Sequence, residues 1–302
     1  MNNLQNDIFQ GEAKAREWLE TRLWPRGPVC PHCGVENGAT ALNGEAHRAG
    51  LYQCNDCREQ FTVTVGTVFE RSKIPLNKWL MVVFLMCASK KGMSSLQISR
   101  MLGISYKSTW FMTHRIREAM RSNPNGLLGG NGGAVEADET FWGTKPGETV
   151  KRGYGHKNAV FALVERNGDV RSFYVPNVAA KTLKPILLAQ VAKNSHLMTD
   201  DARVYIRPGK SFKKHSSVNH SAGEYMRGKV HTNTVEGYFS LLKRGLIGTF
   251  HHVGSQHLQR YVEEFDFRYN ARDISDVDRM VLAAKGIKGK RLTYKTTNQA
   301  KA

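Results

Sequence analysis

The sequence has no hydrophobic run long enough to cross a bilayer. Its longest apolar stretch, residues 79–88, contains ten residues, whereas a membrane-spanning helix needs about twenty. Residues 1–7 also have no apolar core of the kind found in secretory signals. The sequence therefore predicts a protein of the cytoplasm that has no membrane partner.

Acidic residues are scarce relative to basic ones. The 302 residues include 26 Asp and Glu against 44 Lys and Arg, which gives a formal charge of +18 and a pI near 9.8. Because the basic residues recur in every segment, this imbalance favours a polyanionic partner such as DNA. The alternative is a protein that is basic without such a partner. The length allows two or three domains with a substantial core.

Cysteine is also scarce, and disulfides are rare in the cytoplasm. Four of the five cysteines form two Cys-x-x-Cys pairs, Cys30 with Cys33 and Cys54 with Cys57, and twenty residues separate the pairs. This spacing predicts a zinc ribbon that holds one structural Zn²⁺ with four thiolates. Two redox dithiols are the alternative, but neither pair adjoins a βαβ pattern. The isolated Cys87 is expected to be a small buried hydrophobe.

The middle of the chain predicts a helix-turn-helix. Residues 75–88 are predicted to form a helix, and Gly92 ends it. A short helix that ends at Gly103 precedes a second helix that begins after Ser105 and continues through residue 120. A plain helical hairpin packed on the core is the alternative. The apolar face of the short helix is expected to consist of Leu96, Ile98, Met101 and Leu102. The candidates for contact with DNA on the second helix are Tyr106, Lys107, Ser108 and Arg115.

Three acidic residues, Asp138, Asp200 and Glu236, carry the catalytic prediction. Residues 135–142, 158–164 and 170–176 are predicted to be strands of an antiparallel meander, and a helix at 181–193 follows. A fourth strand at 196–199 ends at Asp200, and a helix from about residue 232 carries Glu236. This order is expected of a ribonuclease-H-like α/β fold with a mixed sheet. It would bring Asp138, on the first strand, within one ion's reach of Asp200 and Glu236.

Carboxylates grouped in this way can hold two divalent metals about 4 Å apart for attack on a phosphodiester. Lys243 lies seven residues after Glu236, so both occupy one helix face, and Asn233 falls on the same side. A solvated helix with unrelated charges is the alternative for this pair. Glu136 shares its strand face with Asp138, whereas Glu139 points away, and Asp201 competes with Asp200. Asp200 is preferred because it directly ends the apolar strand.

The chain resembles insertion-sequence transposases of the ISXO-like DDE group, which have a zinc ribbon at the N-terminus. The resemblance covers about residues 15–272 and rests on several short segments. These are the two cysteine pairs, residues 137–140, Thr199 and Asp200, residues 231–237, residues 241–245, residues 251–253, residues 258–261 and residues 267–270.

The resemblance implies DNA cutting and strand transfer with two Mg²⁺ or Mn²⁺ ions held by Asp138, Asp200 and Glu236. In parts of this group the third acidic position is Asn or His, so Asn233 stays open as an alternative to Glu236. The resemblance also implies binding of element ends and target DNA, with Lys243 and Arg244 next to the DNA, in a homo-oligomer. His231, His251 and His252 are candidates for phosphate contact or for capping and core hydrogen bonds.

The predicted organisation has five parts. Residues 1–72 form an N-terminal helix and zinc ribbon, 73–121 the helix-turn-helix, 122–133 a Gly-rich linker, 134–275 the catalytic domain, and 276–302 a basic tail that contacts DNA backbone. Two other functions remain open at this point. A zinc-ribbon and helix-turn-helix regulator would bind DNA without cutting it, and a ribonuclease-H-like nuclease would cut it without joining.

Overall fold

The computed structural model describes residues 4–121 and 126–293 and divides the chain into two compact units. The divisions fall after Arg121 and after Asp273, so that the C-terminal segment groups with the N-terminal part of the chain. Part of the predicted linker, 122–125, lies outside the described residues. Among the helices described, none combines the length and the hydropathy that a membrane crossing requires.

The first unit contains a small three-stranded sheet and six helices among its described residues. The sheet has the antiparallel order β1-β2-β3. Its strands are β1 (Ala39–Ala41), β2 (Tyr52–Cys54) and β3 (Gln60–Phe61), and the helices are α1 (Asp7–Gln10), α2 (Glu12–Leu23), α3 (Leu76–Ala88), α4 (Ser95–Leu102), α5 (Tyr106–Met120) and α10 (Asp276–Lys285).

The sequence predicted the ends of α4 and α5 but not which side of α4 is buried. Gly103 has a left-handed backbone with φ of 62°, and the Ser105 hydroxyl accepts the Ser108 N–H at 3.3 Å to cap α5. Ser95 and Ile98 face α5, because the Ser95 hydroxyl bonds that of Thr113 at 2.9 Å and Ile98 is fully buried. The predicted apolar face was therefore wrong in part: Leu96 and Met101 are each 52% exposed.

The segment predicted as a basic tail begins with helix α10, which packs against α3. Beyond that helix, the Lys290 ammonium donates to the carbonyls of Ala119 and Arg121 at the end of α5. A cation at this position satisfies carbonyls that have no partner within the helix and complements the helix dipole. The described part of this segment therefore has a structural role in the first unit.

The second unit is built on a five-stranded mixed sheet with the order β6-β5-β4-β7-β8. The first three strands form the antiparallel meander that the sequence predicted, whereas β7 pairs parallel to both β4 and β8. The strands are β4 (Ala134–Trp142), β5 (Asn158–Glu165), β6 (Val170–Val175), β7 (His196–Asp200) and β8 (Lys214–Val218), and a separate two-stranded ribbon consists of β9 (Met226–Arg227) and β10 (Val230–His231).

Helices cover both faces of this sheet. On one face, Val235 and Leu242 of α8 (Asn233–Gly245) and Phe265 of α9 (Ser255–Asn270) pack in one cluster with β5. On the other face, α6 (Ala180–Gln190) packs with Val135 and Ala137 of β4. The remaining helices are a short α7 (Ile206–Gly209), which follows β7, and a five-residue π-helix (Leu246–Phe250), which follows α8.

Helix α6 ends earlier than the sequence predicted. Residues 191–193 are not helical, because Val191 bridges Leu128 and the adjacent backbone groups bond to each other. The Leu128 N–H donates to the Gln190 carbonyl, and the Ala192 N–H donates to the Leu128 carbonyl, both at 2.8 Å. The described part of the predicted linker is thus attached to the second unit.

Side chains of α9 cover the outer edge of β6, the last strand on one side of the sheet. The Gln259 amide accepts the Tyr174 N–H at 2.6 Å and donates to the Ser172 carbonyl at 3.1 Å. The Asn270 amide accepts the Val170 N–H at 2.7 Å and donates to the Val170 carbonyl at 3.0 Å. An uncovered edge strand would present these backbone groups to another chain, so α9 closes the sheet on this side.

We predict that Gln259→Ala lowers the free energy of unfolding by about 1–3 kcal/mol, because it leaves backbone groups of β6 unsatisfied. Thermal and urea unfolding measure this loss. The matched control is Gln256→Ala, the same substitution at an exposed position of the same helix, which should change stability by less than about 0.5 kcal/mol. Equal losses in the two variants would contradict the edge-covering role.

Candidate metal centre and active site

The four paired cysteines converge in the first unit as the spacing predicts. Their sulfurs all lie within 4.8 Å of one another, with 3.7 Å between Cys30 and Cys57 and 3.5 Å between Cys33 and Cys54. Four thiolates at about 2.3 Å from one tetrahedral Zn²⁺ are separated by about 3.8 Å, so the cluster fits a structural zinc ion.

Backbone amides and aromatic rings support this cluster. The N–H of Cys57, and then that of Asp56, lower the pKa of the Cys54 thiol to about 7 and so favour the thiolate that binds metal. Trp24 meets Tyr52 and Phe61 edge to face, with ring centroids 5.5 and 5.8 Å apart, beside Cys30 and Cys54. Cys87 lies fully buried in α3 and takes no part in the cluster.

Asp138 and Asp200 lie on neighbouring parallel strands of the second unit. The register pairs Glu136 of β4 with Met198 of β7, and the two acids follow two residues later on the same face of their strands. Glu236 lies in the first turn of α8, the helix that packs on this face of the sheet. The fold thus brings the three predicted acids to one side of the sheet.

The carboxylates of this group repel one another. Burial, followed by the charge of Glu139, raises the pKa of Asp138 to about 8, and Asp200 and Glu236 add to the effect. Burial also raises the pKa of Asp200, with a further contribution from Asp201. A buried acid whose pKa is raised by neighbouring negative charges is stabilised in its charged form by a cation, so the donor set fits divalent metal ions.

The spacing of the acids is wider than one ion requires. Within residues 4–121 and 126–293, the four cysteines are the one group of three or more His, Cys, Asp or Glu side chains whose ligand atoms all lie within 4.8 Å of one another. Asp138, Asp200 and Glu236 do not all lie within this distance of one another, so the expectation that they approach within one ion's reach was wrong. Two ions about 4 Å apart that share a ligand span a wider group than a single ion does.

The carboxylate of Glu236 is oriented by a short hydrogen-bonded chain. The buried Thr232 hydroxyl donates to Glu236 Oε1 at 2.8 Å, and His220 Nε2 lies 3.1 Å from the same hydroxyl. His220 Nε2 is also 3.7 Å from Glu236 Oε1. His220 could not be predicted from the sequence, because no spacing relates the 3₁₀ turn that carries it to either acid.

Glu139 points to the opposite face of β4, as the strand alternation predicted. Its carboxylate accepts a hydrogen bond from the fully buried Tyr205 hydroxyl. Burial raises the pKa of both groups. Tyr205 therefore supports the strand directly behind Asp138, a contact that the sequence did not indicate.

The candidate DNA contacts lie in different environments. Asn233, Lys243 and Arg244 are exposed along one side of α8, the side that also carries Glu236, and Lys107 is exposed in the first turn of α5. Arg115 is only 5% exposed, donates to the Glu70 carbonyl at 2.7 Å, and lies over the Trp79 and Phe111 rings. Its guanidinium is committed to the interior of the first unit, so the structure contradicts Arg115 as a phosphate contact.

The histidine candidates are divided between the interior and the surface. His231 ends β10, and its Nδ1 lies 3.2 Å from the buried Glu136 carboxylate. His251 and His252 are exposed after the π-helix, and His251 has a left-handed backbone with φ of 57°. Of the three, only His231 is held against an acid of β4.

Two family models match the chain in the regions that contain these two sites. Residues 130–270 match an ISXO2-like transposase domain, and residues 10–60 match a transposase zinc-ribbon domain. An uncharacterized transposase-like protein of Haemophilus influenzae is 30% identical over 105 residues, which are 35% of this chain and 84% of that protein. The chain belongs to the ISXO2-like transposases.

A second relative of this transposase matches nearly its whole length. It is an uncharacterized protein in the transposable element ISH50 of Halobacterium salinarum, 29% identical over 278 residues, which cover 86% of this chain and 91% of the relative. The ISXO2-like match includes all three acids and the whole of α8 and α9, and the zinc-ribbon match includes all four paired cysteines.

We predict that the purified transposase contains one equivalent of zinc. Cys54→Ser should remove most of it and unfold the ribbon, because a domain this small depends on its metal. Elemental analysis and circular dichroism before and after chelation measure both effects. Cys87→Ser, the matched control, should keep full zinc content. The absence of stoichiometric zinc in the wild-type protein would contradict the assignment.

Proposed function

We propose that this transposase binds the ends of a mobile element, cuts them and joins them to target DNA through divalent-metal phosphoryl transfer. The observation that carries the proposal is the position of Asp138 and Asp200 on adjacent parallel strands, with Glu236 on the helix above the same face, inside the ISXO2-like match. Such a protein acts where DNA is, in the nucleoid of the cytoplasm.

We further infer that the second unit has a ribonuclease-H-like fold. Three antiparallel strands, a helix and two parallel strands in the order β6-β5-β4-β7-β8 support it, and the catalytic acids of such a fold occupy the central strand, its parallel neighbour and a later helix. Asp138, Asp200 and Glu236 occupy those places. By the same reasoning, α4 and α5 with the glycine turn between them form a helix-turn-helix that docks on DNA.

Each residue has a defined part in this mechanism. Asp138, Asp200 and Glu236 would hold two Mg²⁺ or Mn²⁺ ions, which activate the attacking oxygen and stabilise the leaving oxygen of a phosphodiester when bound. Thr232 orients Glu236, and Lys243 and Arg244 offer cations to DNA phosphates along the same helix. Asn233 remains the alternative to Glu236 as a ligand.

The decisive experiment mixes purified protein and Mg²⁺ with labelled element ends and a target plasmid. Joined products are expected, because cleavage leaves a 3′-hydroxyl that attacks the target. Two ends must be held together for this step, so we expect a dimer or larger assembly on DNA. Nicks without joining across several candidate ends would favour the nuclease, and tight binding without cleavage would favour the regulator.

We predict that Asp138→Asn, Asp200→Asn and Glu236→Gln each reduce cleavage by at least about a hundredfold, since even residues that only support metal ligands are worth about 10- to 100-fold. Binding of labelled ends, measured by mobility shift, should persist. Asp201→Asn is the matched control, an exposed acid beside Asp200. An inactive Asp201→Asn with an active Asp200→Asn would reverse the assignment of the second acid.

We predict that Lys107→Gln reduces the slope of log affinity against log salt by about one, the change expected when one phosphate contact is lost. Titrations of element ends at several salt concentrations measure it. Arg115→Gln should instead lower the thermal stability of the protein and leave the slope unchanged, because Arg115 is buried. A slope that does not change in Lys107→Gln would remove α5 from the DNA interface.

A further inference from the structure

Glu136 is an acid without solvent contact two residues before Asp138. Its side chain is fully buried, yet four donors surround its two oxygens. Oε1 accepts Arg166 Nε at 2.7 Å and the Thr234 hydroxyl at 2.9 Å. Oε2 accepts the backbone N–H groups of Thr234 and Val235 at 2.8 and 3.1 Å. A carboxylate offers about four lone-pair sites, so this one has none left for a metal ion.

Three of the four donors that Glu136 binds belong to the start of α8. The N–H groups of the first turn of a helix have no partner within the helix, and the helix dipole favours an anion beside them. Arg166 reinforces the link, because its two terminal nitrogens donate to the carbonyls of Lys229 and His231 at 2.6 and 3.1 Å. The chain that leads into α8 is therefore attached to β4 through both an acid and a base.

This attachment lies between two of the three proposed metal ligands. Glu136 and Asp138 share one face of β4, and Glu236 follows Thr234 by two residues in the first turn of α8. The strand that carries one ligand and the helix that carries another are thus fixed to each other beside both ligands. A shift of the helix start changes the distance between Asp138 and Glu236 directly.

We propose that Glu136 is a positioning residue of the divalent-cation site. It does not bind the cation; it sets the separation of Glu236 from Asp138 by holding the N-terminus of α8 against β4. The inference rests on the proposed function, because it takes those two acids as cation ligands. A residue that only stabilised the fold would affect unfolding without affecting cation affinity in the folded protein.

The test measures Mn²⁺ binding to the zinc-loaded, full-length protein without DNA, from the electron paramagnetic resonance signal of free Mn²⁺. Glu136→Gln should weaken binding by at least about tenfold, the lower range for residues that support metal ligands. The matched control is Glu264→Gln, because Glu264 is equally buried in the same unit and pairs with Arg268 of α9. That variant should bind Mn²⁺ within twofold of wild type. Circular dichroism sets a temperature at which both variants are folded.

A milder variant covers the case in which Glu136→Gln does not fold. Thr234→Val removes one donor to Glu136 and keeps the charge, and it should weaken Mn²⁺ binding about threefold. Wild-type Mn²⁺ affinity in folded Glu136→Gln, an equal loss in Glu264→Gln, or wild-type affinity in Thr234→Val where Glu136→Gln is unfolded would each overturn the inference.

Asp138→Asn separates this inference from the proposed function. If Asp138→Asn abolishes Mn²⁺ binding while Glu136→Gln leaves it unchanged, the cation site stands and only the positioning role fails. If Asp138→Asn also binds Mn²⁺ as wild type does, these acids are not the cation ligands, and the proposed function fails with the inference.

Discussion

Strand β4 has to carry two acids, Glu136 and Asp138, on the face that α8 covers, and the second unit is arranged around this requirement. Val135 and Ala137 pack in the core beneath α6, whereas Glu136 and Asp138 lie on the face that α8 covers. A carboxylate cannot be buried without donors, since an isolated charge in the interior costs many kcal/mol. The two acids meet this condition differently. Glu136 is bonded by Arg166 and the start of α8, whereas Asp138 has the N–H of Glu139 at 2.7 Å and remains next to other acids.

Local chemistry is the part of the fold that the sequence made predictable. The two cysteine pairs have ligand spacing that does not depend on their surroundings, and their sulfurs meet. The alternation of the first three strands and the apolar strand that ends at Asp200 depend on residues within each segment, and both agree with the sheet. The Gly103 and Ser105 signals fixed the ends of α4 and α5 for the same reason.

What the sequence did not predict depends on contacts between distant segments. Arg115 reads as a candidate for contact with DNA, yet its guanidinium donates to the Glu70 carbonyl and lies over two aromatic rings. Glu136 is a neighbouring acid on the same strand face as Asp138, yet its carboxylate accepts hydrogen bonds from Thr234 and Val235, which lie 98 and 99 positions later in the chain. No pattern in the sequence indicates that Gln259 and Asn270 bond the edge of β6. The periodicity of a sequence indicates which face of a helix or strand a side chain occupies. It does not indicate which residue of a distant segment that side chain contacts.

The charge of the chain and the charge of its proposed active site have opposite signs, and this contrast constrains how DNA can be approached. A formal charge of +18 attracts DNA at long range, whereas Asp138, Asp200 and Glu236 repel a phosphate at short range. Burial and mutual repulsion already raise the pKa of Asp138 to about 8 without a phosphate nearby, so adding one increases the repulsion unless cations enter with it. The exposed Lys243 and Arg244 lie in the last turn of α8, the helix that carries Glu236 in its first turn. Helix α8 thus carries a carboxylate at one end and two cationic side chains at the other. In the proposed complex, metal ions neutralise Glu236, and the phosphates of DNA bound along the helix pair with Lys243 and Arg244.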